Sequence, residues 1–270
     1  MKAWIHGSVL TVAAIAQWGC AGLDNPTALA ELQVEAEIEI KASRVETFDE
    51  VEIHAHLTQG GVPMSMRQVQ LQIEHENGGP TRVVDMEPEG EGFAAHVTFF
   101  EPGEHHVHVL GMPEQHRLTR RMGETAVDVH RQHQVIGPYW FELGVAPAPV
   151  MENASAEIRL YAYELHDDGS LGEPADGLEL GFAVHLPDGR EQDLSVHEVE
   201  HGEYEAPFTF GAAGLYELHV ALEASHEEAE DEHGDEHEAE TEGEFHIRVL
   251  GEAVTDGGGS DSGGGDGHGH

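Results

Sequence analysis

From residue 32 onward, apolar and polar positions alternate. Leu32, Val34, Ala36, Ile38 and Ile40 are each separated by one polar residue, the period of a strand with one buried face. The same period returns at Val51, Ile53, Ala55 and Leu57, at Val69, Leu71 and Ile73, at Val107 and Val109, and at Val127 and Val129. Turn-forming residues punctuate these runs at Gly60-Gly61, Asn77-Gly78-Gly79-Pro80 and Pro102-Gly103. Many short strands without a helical period predict an all-β chain built as a β-sandwich.

The pattern then repeats. With Phe93 set on Tyr204, the segment from Gly92 to Gly103 matches that from Glu203 to Gly214, and His105, Val107, His108 and Val109 fall on Tyr216, Leu218, His219 and Val220. Upstream, Pro63 falls on Pro174, Leu71 on Phe182 and Ile73 on Val184. Glu52-Ile53 falls on Glu157-Ile158 across a short insertion at His166 to Gly169. Val34, Ala36, Ile38 and Ile40 fall on Tyr139, Phe141, Leu143 and Val145. A register held through several strands predicts two tandem immunoglobulin-like β-sandwich domains, at 31–131 and 135–250. Tyr204 and Tyr216 are expected in the core. Gly103 and Gly214 are expected to take a positive φ between strands.

The ends differ from this body. Lys2 precedes an apolar run, Val9 to Ala16, too short to span a bilayer. Gln17-Trp18-Gly19-Cys20 closes it, as in an exported protein's signal peptide. The pattern resembles a bacterial lipoprotein signal, which implies a signal peptide at 1–20 and lipidation at Cys20. Gln17 and Trp18 depart from the usual residues there, and an ordinary secretory signal cut near Ala21 is the alternative. Residues 21–30 form a tether. Residues 251–270 form a Gly/Ser/His tail expected to be disordered. Cys20 is the one cysteine, so an intrachain disulfide is excluded.

Charge narrows the partners. Asp plus Glu number 53 against 12 Lys plus Arg, a formal net charge of -41. Such a surface repels nucleic acid and anionic membranes and attracts cations, leaving the lipid as the only expected membrane contact. Acidity with scarce lysine also suits adaptation to salt, but that leaves the 22 histidines unexplained.

The histidines concentrate between His226 and His246, in HEEAEDEHGDEHEAETEGEFH. The flanking strands, Leu215 to Leu222 and Glu244 to Leu250, make this stretch an insertion in the loop joining the last two strands. Phe245, Ile247 and Val249 are expected to point into the core. Imidazole and carboxylate together suit zinc, copper(II) or nickel. His226, His233, His237 and His246 are the candidate ligands, within a His/acidic loop at 226–243, and His268 and His270 add two imidazoles on the tail. A solvated acidic loop without a ligand is the alternative. The corresponding first-copy loop, Leu110 to Gly123, carries His116, Arg117, Arg120 and Arg121 and is basic. His54 with His56 and His106 with His108 are expected on exposed strand faces, His105 at a core edge, and His130 and His133 on the surface of the interdomain joint. No phosphate loop, nucleophile elbow or free-thiol site is visible, so no catalytic residue is expected.

The turn and core residues carry a family resemblance: Gly61-Val62-Pro63 with Gly92-Phe93, Thr98-Phe99 and Gly103 in the first copy, and Gly172-Glu173-Pro174 with Gly202-Glu203-Tyr204, Thr209-Phe210 and Gly214 in the second. They resemble the YtkA-like domain, related to the periplasmic part of FixH, over most of the mature chain. The resemblance implies an immunoglobulin-like sandwich, a cell-envelope location and a metal or oxidase-assembly context. Members often carry a Met-rich segment after the Gly-x-Pro strand; here it is reduced to Met64-Ser65-Met66. The expected function is a lipid-anchored, non-catalytic protein that binds or buffers zinc or copper. The alternative is an envelope protein-interaction or adhesion module.

Overall fold

A computed structural model describes residues 34–114, 118–222 and 241–251, together with the backbone of 11–15. The expected signal cleavage and lipidation at Cys20, the tether at 21–30, loop residues 226–240 with His226, His233 and His237, and tail residues 252–270 with His268 and His270 lie outside the described residues.

The fold is all-β. The first half runs β1 (Thr11–Ile15), β2 (Glu35–Ile40), β3 (Val45–Glu46), β4 (Glu50–Gln59), β5 (Val62–Pro63), β6 (Met66–His75), β7 (Arg82–Asp85), β8 (Glu87–Glu89), β9 (Gly92–Thr98), β10 (Gly103–Pro113) and β11 (Arg120–His130). The second half runs β12 (His133–Ile136), β13 (Tyr139–Ala146), β14 (Ala154–Leu165), β15 (Leu171–Pro174), β16 (Leu180–His185), β17 (Glu191–Leu194), β18 (His197–Glu200), β19 (Glu203–Phe210), β20 (Gly214–Leu222) and β21 (Glu242–Val249). Each half folds as two sheets. In the first they are β1-β2-β4-β9-β8, with β5 on β4, and β3-β11-β10-β6-β7. In the second they are β12-β13-β14-β19-β18, with β15 on β14, and β17-β16-β20-β21.

The repeat is reproduced pair by pair. Ile38 faces Ala55 as Leu143 faces Leu160, Ala55 faces Phe93 as Leu160 faces Tyr204, and Val107 faces Ile73 as Leu218 faces Val184. Even the short parallel contact recurs, Val45 against Val129 in one copy and Met151 against Leu250 in the other. β1 pairs with β2 as β12 pairs with β13, so the apolar run expected in the leader supplies the edge strand of the first sandwich.

Period-two burial gives each sandwich its own core. Ile38, Ile53, Leu57, Leu71, Phe99, Val107 and Val109 fill the first; Phe141, Leu143, Ile158, Leu160, Tyr216, Leu218, Phe245 and Ile247 fill the second. Both tyrosines are buried as expected. The Tyr204 hydroxyl donates to Ala175 O at 3.0 Å and accepts from Leu178 N at 2.9 Å, and the Tyr216 hydroxyl donates to Ala212 O at 3.0 Å, so neither buries an unpaired hydroxyl. Gly103 and Gly214 have φ of 117° and 138°, where a side chain would be strained.

The halves meet through Gln132, only 6% exposed. Its amide donates to Thr47 O at 2.7 Å and His246 O at 2.9 Å, and accepts from His246 N at 2.8 Å. One side chain thus satisfies backbone groups of both sandwiches. Phe48 crosses the same joint: it packs with Phe100 at 6.0 Å and joins the second sandwich's core, although its own strands belong to the first. Its φ is 68°, matched in the second copy by Asn153 at 58°. Asparagine adopts that conformation readily and phenylalanine does not, so the buried ring stabilises a backbone it would otherwise avoid.

The first-copy loop is tighter than expected. β10 continues to Pro113 and β11 begins at Arg120, placing Leu110, Met112, Arg120 and Arg121 within strands and burying Met122. A bulge at Val109/Leu110 lets the hairpin extend.

Candidate metal centre

In the β17-β16-β20-β21 sheet, inward residues are apolar, and imidazoles and carboxylates gather in the middle of the outward face. Register aligns them into a row. Glu191 faces His185, His185 faces Glu217, and Glu217 faces His246. One step along, His219 faces Glu244. Facing residues on neighbouring strands bring their Cβ atoms to about 4.5–5.5 Å, so the row is an acid–imidazole ladder across four strands.

The side chains converge within that ladder. His185 Nε2 lies 3.2 Å from Glu191 and its Nδ1 3.9 Å from Glu217. The rings of His185 and His219 are 4.3 Å apart, tilted by 36°. His219 Nε2 is buried with no hydrogen-bond partner among the described residues, a cost unless something accepts or coordinates it. His246 Nε2 lies 2.9 Å from Glu244. Two sets can each bring one ligand atom per residue within 4.8 Å of the others: His185 with Glu217 and His219, and Glu217 with Glu244 and His246. Glu217 belongs to both. Two imidazoles and a carboxylate are a donor set suited to zinc or copper(II), with open positions for water.

Of the ligands expected from the sequence, His246 alone lies among the described residues, and it stands on this ladder in the middle of β21, its backbone bonded to Gln132 at the joint. The strands that flank the His/acidic stretch pair with each other: β20 pairs with β21 from Gly214–Val249 to Ala221–Glu242, and Leu222 N donates to Thr241 O at 2.8 Å. The expected strands Leu215 to Leu222 and Glu244 to Leu250 become β20 and β21, and Phe245, Ile247 and Val249 are buried as expected. Sequence reasoning missed His185, His219, Glu217 and Glu244 as candidate ligands. The available signal was Glu217-x-His219 and Glu244-x-His246 at outward strand positions; His185 is distant in sequence and joins only through pairing.

Three surface expectations are corrected. His54 and His56 share the outward face of β4, but His54 is buried against Glu52, 2.7 Å away. His106 and His108 share the outward face of β10, and their rings stack at 6.4 Å, but His108 is buried between Glu74 and Glu124. His133 is not a plain surface residue: it stacks on Trp140 at 4.0 Å and lies 3.0 Å from Glu46 across the joint. In each case long neighbouring side chains cover an outward position. His105 packs at the core edge against Phe99 and His75, as expected. Burial pushes the imidazoles of His105 and His108 below their ordinary range, with Arg121 adding to the effect at His108. Met64 and Met66 pack against the first core.

No family model matches the chain, and no curated protein matches it. Solved structures resemble it distantly. Invasin, a bacterial integrin-binding protein, is 13% identical at a TM-score of 0.29, covering 82% of this chain and 40% of its own. The Escherichia coli adhesin FdeC is 13% identical at 0.29, covering 80% and 64%. Trypsin-activated alpha-2-macroglobulin from Escherichia coli is 14% identical at 0.28, covering 70% and 14%. The chain spans less than two-thirds of each. At these TM-scores the fold rests on the strand pairing described above.

Proposed function

We propose that this is an exported, non-catalytic metal-binding protein whose ligand-bearing surface is the outer face of the second sandwich. The observation that carries the reading is the convergence of His185, Glu217 and His219 on neighbouring strands, with the His219 Nε2 unpartnered among the described residues. Strands fix these donors more firmly than a loop would, which lowers the entropy lost on coordination. In sequence, the His/acidic stretch at 226–243 joins the two strands β20 and β21 that carry Glu217, His219 and His246. The lipoprotein-like signal ending at Cys20 and the YtkA-like residues support an envelope location. Titration of the full chain with zinc and copper(II) tests the proposal: one tight site on this face is expected, and a His185→Ala, His219→Ala double variant should bind one ion fewer than the parent. Equal binding in that variant refutes it.

A second reading, a surface module that binds another protein, is favoured by the Gln132 joint, which ties the two sandwiches together. Partner capture that persists in the double variant and in chelator would favour that reading over metal binding.

A further inference from the structure

The first sandwich holds a different cluster, on its other sheet. His54 lies on the outward face of β4 and is only 7% exposed. Its Nε2 is 2.7 Å from Glu52 Oε1 and 3.5 Å from Glu89 Oε2. Glu52, His54 and Glu89 can each place a ligand atom within 4.8 Å of the other two. Glu52 and Glu89 also line a cleft of about 420 Å3, whose rim carries Asp85, Glu87 and His96. Lys41 approaches Glu52 through the other carboxylate oxygen, Oε2, at 3.5 Å, leaving Oε1 on the His54 side.

The second sandwich shows what this position accommodates. Arg159 pairs with Gly144 and Glu205 as His54 pairs with Glu39 and Ala94, so the two are repeat equivalents. The Arg159 guanidinium lies 2.8 Å from Glu157, 3.3 Å from Glu203 and 2.7 Å from Glu205. A permanent cation therefore occupies a ring of carboxylates. In the first sandwich the equivalents of Glu203 and Glu205 are Gly92 and Ala94, and the guanidinium is replaced by an imidazole, a group with a lone pair to give. Shortening the basic side chain leaves Glu52, Glu89 and the cleft.

We propose that Glu52, His54 and Glu89 bind a divalent cation with a preference for nitrogen and oxygen ligands, zinc or copper(II), at the position where the second sandwich keeps a built-in guanidinium. The ion enters from the cleft. It is coordinated by one oxygen from each carboxylate and by His54 Nε2, in the tautomer that carries its single ring proton on Nδ1. The site is independent of His185, Glu217 and His219.

The test uses the full chain, β1 included, in which His185, His219, His226, His233, His237, His246, His268 and His270 are all alanine, so that failure of the proposed function cannot mask the result. Zinc chloride alone is titrated in by calorimetry. One ion per chain is expected. His54→Arg, which copies the second sandwich, is expected to weaken zinc at least about 100-fold, and Glu89→Gln about 10-fold, with the circular dichroism and thermal midpoint of each variant compared with the background chain. Should His54→Arg unfold the chain, Glu89→Gln and Glu52→Gln carry the same test from more exposed positions. Absence of zinc binding in the background chain overturns the proposal, and so does binding that these variants leave unchanged.

Discussion

The two sandwiches turn equivalent sheets to solvent and dress them differently. On the second, Glu191, His185, Glu217 and His246 form an unbroken row. On the first, Glu74 stands for His185, His106 for Glu217, His108 for His219, and Ala126 for His246. The row therefore shrinks to Glu74 and His106: Ala126 replaces the imidazole, and the pairing of β6 with β7 ends at Ile73 and Arg82, one residue short of Glu74. A cation is also present, Arg121, 3.3 Å from Glu124, so one carboxylate is already occupied and a metal ion would be repelled. Equivalent strand pairing with similar residue types thus places two imidazoles beside a shared carboxylate on one face and an arginine against a carboxylate on the other. The largest expected effect tests that contrast. His185→Ala with His219→Ala should weaken zinc at least about 100-fold, since even outer-shell losses cost about 10–100-fold. His106→Ala with His108→Ala should change it less than about threefold at this site. Equal losses from the two pairs would dissolve the distinction.

A second contrast concerns the matched positions Phe48 and Asn153. Both are left-handed, and Phe48 N donates to Phe99 O at 2.7 Å as Asn153 N donates to Phe210 O at 2.6 Å. Only Phe48 reaches into the neighbouring sandwich. Removing a buried phenylalanine side chain costs about 3–5 kcal/mol; because the alanine still suffers the left-handed backbone, nothing offsets that loss. Phe48→Ala should therefore lower stability by about 3 kcal/mol in chemical denaturation. Phe48→Asn should fall short of that loss by about 1 kcal/mol, because asparagine accepts the conformation. An asparagine variant no better than the alanine one would show that the backbone strain is negligible.

The fold was legible because its signal is local. Period-two runs around Ile38, Ile53 and Leu71 need only one strand to be read, and the repeat fixed register where one strand was ambiguous. Turn glycines such as Gly103 and Gly214 were readable for the same reason. The candidate site was less legible because its donors come from β16, β20 and β21, and nothing near His185 in sequence announces Glu217. Density drew attention to the loop, while the ladder has only one or two donors per strand. Burial of His54 and His108 was also hidden, since alternation tells which face a residue is on and not whether long neighbours cover it. Phe48 carries no sequence mark of crossing to the other core.

A gain-of-ligand variant sharpens the first contrast. Ala126→His with Arg121→Ala restores the fourth strand's imidazole and removes the cation on the first sandwich. In a chain lacking the second ladder's histidines and carrying His54→Arg, it should raise zinc affinity about 10-fold over the same chain without the two changes, on the scale of a single supporting group. No gain would mean that the second face depends on more than its row of donors.

The smallest expected effect is in pH, and it belongs to the first sandwich. The buried imidazoles of His105 and His108 are held below their ordinary range, chiefly because burial strips water from the charged form. Glu74 and Glu124 oppose that shift at His108, while Arg121 and His106 add to it. In the unfolded chain both would titrate near about 6.5. The unfolded state therefore binds more protons below that value. Their contribution to stability is whole above about pH 6.5 and is lost as pH falls from there through the lowered folded values. In chelator, amide exchange along β10 should accelerate between pH 7.5 and 5 more in the parent chain than in His108→Gln, whose side chain carries no titrating group. A variant with the same acceleration would place the pH sensitivity elsewhere, in the carboxylates that outnumber every other charged group.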